Sequence, residues 1–149
     1  MNKASNMKTT IPQDPGDSRE WLLVDAAGKP LGRLAVAIAN ALRGRNKPTW
    51  MPSVDTGAFV VVTNAEKVKL TGKKETWKKY QRYSGWRGGR RDITAETMRA
   101  KHPERMITLA VRGMLPDNNL AKRMMTRLRV YAGTEHPHAA QQPKAVELI

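Results

Sequence analysis

The chain has 149 residues, 27 Lys and Arg against 13 Asp and Glu, a formal charge of +14 and no cysteine. That length suits one domain able to bury a core without staples, and the missing cysteines exclude disulfides, thiolate metal sites and cysteine nucleophiles. With 40% hydrophobic residues the chain should fold, and so lopsided a charge marks a polyanionic partner; no apolar run approaches the ~18 residues of a membrane span.

Residues 1–19 carry no apolar core of a secretory signal and read as a flexible tail. Glu20 to Ala26, EWLLVDA, reads as a buried strand, and Gly28-Lys29-Pro30 turns the chain. In LGRLAVAIANALRG the residues Leu31, Leu34, Ala35, Ile38 and Leu42 recur at helical spacing, and Gly44 suits the C-cap. The run AFVVVTN, 58–64, is β-branched and continuous, as a strand buried on both faces would be. Strand, helix, strand is a βαβ unit, so the two strands should run parallel and join through a right-handed crossover.

Residues 71–93 show neither helical nor alternating periodicity and read as a long basic excursion, ordered or partly disordered. Helix signals return at Thr94. Pro103 suits the first turn of a second helix through PERMITLAVRGML, and Asp117 or Asn118 can cap a third, NNLAKRMMTRL, with Leu120, Met124 and Leu128 as its core stripe. A short strand, RVYAG at 129–133, follows, and residues 144–149 read as a tail. The expected fold is a single α/β domain over 20–143 with a basic arm at about 71–93.

Catalytic motifs fail on spacing. LTGKKET supplies only half of a phosphate-binding loop, since Lys67 stands where the first glycine belongs and Lys74 where a hydroxyl should reach magnesium. Gly85, Gly88 and Gly89 do not make G-x-G-x-x-G. Asp55-Thr56-Gly57 is the aspartic-protease tripeptide, in which two such aspartates share a proton, but the chain holds no second copy. An aspartate and glycine turning into the second strand explains it more simply. His136 and His138 are two imidazoles without a full metal set, and Ser84 has no nucleophile-elbow frame. No cofactor, metal or small-molecule substrate is expected.

The basic clusters are the stronger signal. From Lys73 to Arg91 eight cations (Lys73, Lys74, Lys78, Lys79, Arg82, Arg87, Arg90, Arg91) meet one acid, Glu75, and are interleaved with Trp77, Tyr80, Tyr83 and Trp86. Exposed aromatics beside cations suit stacking on bases and sugars. Arg43, Arg45 and Lys47 form a second region, and Lys122, Arg123, Arg127 and Arg129 a third, flanking the Leu/Met stripe. Several separated patches on a small body fit a folded RNA that surrounds it, rather than one recognition element in a DNA groove.

Five blocks then carry a family resemblance: WLLVDAAGKPLGRLAVAIANALRG, MPSVDTG with VVVTNAEKVKLTGKK, KKYQRYSGWRGG, PERMITLAVRGMLP and LRVYAGTEHPHAAQQP. In that order, from Trp21 to Pro143, they resemble the bacterial form of the large-subunit ribosomal protein thirteen family. The resemblance implies a three-layer α/β/α body with a small parallel sheet, binding to large-subunit ribosomal RNA, uptake early in subunit assembly, neighbouring ribosomal proteins, a place in the cytoplasmic ribosome, and no catalysis. It carries the family's basic positions onto Arg33, Arg43, Lys47, Lys73, Lys79, Arg112 and Arg123, with His136 and His138 in the terminal motif. Two positions depart from the family pattern. Ala58 stands where an aspartate is usual, so a capping role of that carboxylate is lost. Leu120-Ala121-Lys122 replaces Leu-Gly-Arg, which lengthens the expected helix and puts a close backbone approach there in doubt. Met7-Lys8-Thr9 resembles the family's usual start.

Overall fold

The computed structural model describes residues 11–148; the greater part of the expected N-terminal tail, 1–10, lies outside the described residues. Strand β1 (Trp21–Asp25) leads through Gly28 into helix α1 (Leu31–Arg43), and β2 (Phe59–Thr63) returns parallel to β1 with Trp21 opposite Phe59 and Asp25 opposite Thr63. The βαβ unit stands as its sequence pattern predicts. On α1 the residues Leu34, Ile38 and Leu42 are fully buried and meet Val24, Val60 and Val62 of the sheet. Each such side chain contributes about 1.5–3 kcal/mol by leaving water. Gly44 closes the helix in the left-handed conformation, φ 72°, with its N–H donating to the Ala41 carbonyl.

Past β2 the chain makes α2 (Lys74–Trp77), an antiparallel hairpin of β3 (Lys79–Tyr83) and β4 (Arg90–Thr94), then α3 (Ala95–Lys101), α4 (Pro103–Met114) and α5 (Asn119–Thr126). Thr94 and Asn118 cap α3 and α5, their side chains accepting from the N–H of Thr97 and Ala121, and Pro103 opens α4. Strand β5 (Leu128–Val130) joins β2 in parallel, and β6 (Lys144–Ala145) joins β1 on the other side, giving the order β5-β2-β1-β6.

That order decides the layering. The steps β1 to β2 and β2 to β5 move the same way across the sheet, so right-handed crossovers put α1 and the α4–α5 pair on one face. The step from β5 to β6 runs back past β2 and β1, so the same rule sends residues 131–143 over the opposite face. There Val61 is fully buried, Trp21 stacks on Phe59 with centroids 4.3 Å apart, and His138 lies 5.2 Å from Trp21. The result is a three-layer α/β fold whose third layer is a segment with one 3-10 turn, Ala139–Gln141.

Of the two readings of residues 71–93, ordered or partly disordered, the ordered one stands, as a short helix and a hairpin; apart from Tyr80 and Thr94 at its base the hairpin is exposed on both faces, so no period-2 apolar pattern marked it. Three expectations are corrected. Lys144–Ala145 is a sheet strand rather than tail, held because Leu23 accepts from the Val146 N–H and because Val146 and Leu148 pack on the core. Leu128 belongs to β5, not to the helical stripe, and β5 ends at Val130 instead of Gly133. Finally, the expected tail is tied down before residue 20: Arg19 donates to the Gly57 carbonyl at 2.9 Å and pairs with Asp14. Among the described residues no helix is long and apolar enough to cross a membrane.

Candidate nucleic-acid interface

The cations divide by what surrounds them. Arg127 was expected on the surface, yet it is buried: Nη2 donates to Asp55 Oδ1 at 2.6 Å and to the Leu42 carbonyl at 3.1 Å. A buried charge is tolerable only when paired and hydrogen-bonded, and here the carboxylate and a free carbonyl at the end of α1 supply both. Asp55 also lies 3.5 Å from Arg19 Nη1. The segment around it leaves no room, since a Cβ on Gly57 would stand 1.7 Å from the Leu42 carbonyl oxygen. The reading of Asp55-Thr56-Gly57 as the turn into β2 is corrected: the turn lies at Pro52–Ser53, between the bridged Met51 and Val54, and Asp55 serves instead as the centre of an ion-paired clasp. Arg127 follows Met124 by three residues and so shares the buried side of α5, a spacing that could have flagged it.

The aberrant family positions fall in this same interior. Ala58 is buried, and its N–H donates to the Ala41 carbonyl at 3.2 Å, so the backbone makes the α1 contact. Ala121 is buried under the Asn118 cap, and its methyl packs into the core.

The arm is built the opposite way. Its base is anchored: Arg99 makes a two-pronged contact to Glu75 at 2.7 and 3.1 Å and donates to the carbonyls of Glu66 and Val68. Sequence reasoning missed Arg99, which lies outside the basic clusters. Tyr80 packs on Ala95, Met98 and Met106, and burial pushes its phenol pKa upward. Lys78 sits 5.4 Å over the Tyr80 ring. Beyond the base the hairpin sets Arg82 directly opposite Arg91, and like charges in that position repel. Lys79, Arg82, Arg87, Arg90 and Arg91 are all exposed, as are Trp77, Tyr83 and Trp86 at 82%, 66% and 80%. Among these cations Arg90 has a carboxylate, Asp92, at 3.0 Å, and its hydrogen bond holds that carboxyl below the ordinary aspartate range.

The remaining predicted cations form three groups. Arg43 and Arg45 lie 5.7 and 5.8 Å from the Trp50 ring at the exit of α1, with Lys47 3.8 Å from Glu20. Arg112 of α4 and Lys122 of α5 line one groove of about 700 Å³, and Arg123 is exposed on α5. Arg33, Lys73 and Lys74 lie exposed between α1 and the arm. Arg129 points away from α5, on β5. The histidines are partly buried: Tyr131 Oη and His138 Nε2 are 2.9 Å apart, and the His136 ring accepts from the His138 N–H at 3.3 Å. Among the described residues no three His, Asp or Glu gather as a metal set.

The model of the family described as ribosomal protein L13 matches residues 19–137. The chain belongs to the ribosomal protein L13 family. It is 56% identical over 142 residues to the large ribosomal subunit protein uL13 of Dictyoglomus thermophilum, covering 95% of this chain and 100% of that one. It is 54% identical over 136 residues to the uL13 of Chloroflexus aggregans, covering 91% and 95%, and 54% over 142 residues to that of Coprothermobacter proteolyticus, covering 95% and 99%. The matched stretch spans both the clasp around Asp55 and the arm.

Proposed function

We propose that this chain is a structural constituent of the large subunit of the cytoplasmic ribosome, binding large-subunit ribosomal RNA early in assembly beside other ribosomal proteins and performing no catalysis. It acts as one domain. The mechanism is electrostatic and steric: RNA segments that repel one another are held together by cations on a rigid α/β body. Arg33, Arg43, Arg45, Lys47, Lys73, Lys74, Lys78, Lys79, Arg82, Arg87, Arg90, Arg91, Arg112, Lys122 and Arg123 contact phosphates. Arg127 does not, because its charge is used inside the protein. His136 and His138 hold the C-terminal segment on the sheet and meet RNA only with their exposed edges.

The observation that carries this reading is the Arg82–Arg91 pair. A free protein gains nothing from placing two guanidinium groups opposite each other at the end of an anchored hairpin, whereas a phosphate backbone between them turns repulsion into two charge-assisted contacts. Asp55 supports the absence of proton-sharing chemistry, since its carboxylate is engaged by Arg127 and Arg19 rather than by a second acid.

Titrating the protein against a transcript of large-subunit ribosomal RNA over a range of salt tests the mechanism. If about eight phosphates are neutralised, log K falls with log salt at a slope of roughly 6 to 7 in magnitude. A salt-independent affinity would sink the reading. Asp55→Asn protein, which a proton-sharing hydrolase could not tolerate, should still bind the RNA wherever it folds.

A further inference from the structure

Between α1, α4 and α2 lies a cleft with two adjoining lobes, of about 460 and 470 Å³, that share Pro30, Gly32, Lys69, Thr71 and Lys74. One lobe carries the apolar side chains Leu70, Trp77 and Met114 beside Lys69, Lys74 and Lys78; the other adds Arg33 to the shared Lys69 and Lys74. No acid lines either lobe. The floor is fixed: Lys69 accepts from the Leu31 N–H at 3.0 Å and donates to the Lys29 carbonyl at 2.9 Å, bridging Pro30 to the strand-like segment at Lys69. The wall carrying Trp77 is held by Glu75, its neighbour on α2, through the two-pronged contact to Arg99. Trp77 nonetheless leaves 82% of its surface in water and Met114 45%. An anchored, exposed indole beside three cations is an incomplete site.

We propose that this cleft takes one unpaired nucleotide swung out of the RNA, its base against Trp77 in the first lobe and its flanking phosphates on Arg33, Lys69 and Lys74. Each lobe falls within the ~300–1,000 Å³ of small-ligand sites. Bases freed from a helix stack on aromatic side chains, and that contact tolerates any base because all have a π-face. The cations select a phosphate-bearing ligand over an apolar peptide. Lys69 thereby becomes an RNA-contacting residue beyond the basic clusters, and Trp77, within the first of them, gains a defined ligand. This inference rests on the RNA-binding reading above, and the experiment separates the two.

Full-length protein is titrated against the large-subunit RNA transcript over a range of salt. Trp77→Ala should weaken binding about tenfold with an unchanged salt slope, while Trp77→Phe stays near the parent. Lys69→Ala and Lys74→Ala should each lower the slope by about 0.7 to 0.9. A benzoylphenylalanine placed at position 77 should crosslink, in assembled subunits, to one unpaired nucleotide. Making that nucleotide abasic should leave the parent and Trp77→Ala proteins with equal affinity. If the parent binds with the expected salt slope but Trp77→Ala binds equally well, or the crosslink goes to a neighbouring protein, the nucleotide site is wrong and the RNA-binding reading survives. If the parent shows no salt-dependent RNA binding, both fall.

Discussion

Arg127 and Arg82 are the same residue type, 45 positions apart by their numbers, and the fold uses them in opposite senses. Around Arg127 the protein supplies a carboxylate at 2.6 Å and a helix carbonyl at 3.1 Å, both to Nη2, while the buried Nε has no partner. Around Arg82 it supplies a second arginine. The interior must balance its charges because desolvation is costly there, whereas the hairpin, wet on both faces, can leave its balance to a partner. Net charge alone would count both arginines as RNA ligands.

The contrast is broken most severely at the clasp. Arg127→Met leaves Asp55 and the Leu42 carbonyl short of their main donor, and thermal or denaturant unfolding should show a loss of about 3–5 kcal/mol. The salt slope of RNA binding, measured under conditions where the variant is folded, should not change. A slope lowered by one would mean that Arg127 reaches a phosphate after all.

The arm should respond in reverse. Arg82→Ala with Arg91→Ala removes a repulsive pair, so stability should hold or rise slightly, while the salt slope falls by about 1.5. An unchanged slope in the double variant would remove the central support for the arm as an RNA ligand.

Smaller effects sharpen the division between body and arm. Asn118→Ala deletes the cap of α5, the helix that delivers Arg127, and should cost about 1 kcal/mol in denaturant unfolding. Thr94→Ala, at the hinge between hairpin and α3, should cost a similar amount and appear chiefly as faster amide exchange around α3.

The least effect concerns pH. Asp25 accepts from the Ala27 N–H and from Asn64 Nδ2, and the backbone bond first, the side-chain bond second, hold its carboxyl below the ordinary value. A depressed native pKa stabilises the fold above the unfolded value of about 3.9 and loses that contribution as pH falls through the native one. Acid titration of stability should therefore be slightly shallower in Asp25→Asn. Identical curves would show that the turn after β1 draws nothing from this carboxylate.

Periodicity made the body legible. Leu31, Leu34, Ile38 and Leu42 have a single helical face, AFVVVTN has no polar face at all, and Gly44, Thr94, Pro103 and Asn118 mark helix ends by chemistry that acts within a few residues. The basic clusters were legible too, because composition needs no geometry. The hairpin was not: strand pairing between Lys79–Tyr83 and Arg90–Thr94 leaves both faces exposed beyond the base, so neither strand has an apolar alternation to read.

By itself the sequence determined the helices of the body, the cationic excess and the parallel βαβ start, all of which depend on neighbours along the chain. Tertiary structure decided which cations face out. Arg127 and Asp55 are 72 residues apart, and their meeting at the end of α1 follows from β5 docking on β2, a long-range event with no local signature. It likewise placed β6 beside β1 and brought Trp77 to the cleft with Arg33 and Lys69. A charge carries the same symbol in the sequence whether it will meet water, a carboxylate or a phosphate; only the packed chain sets its dielectric and its partner.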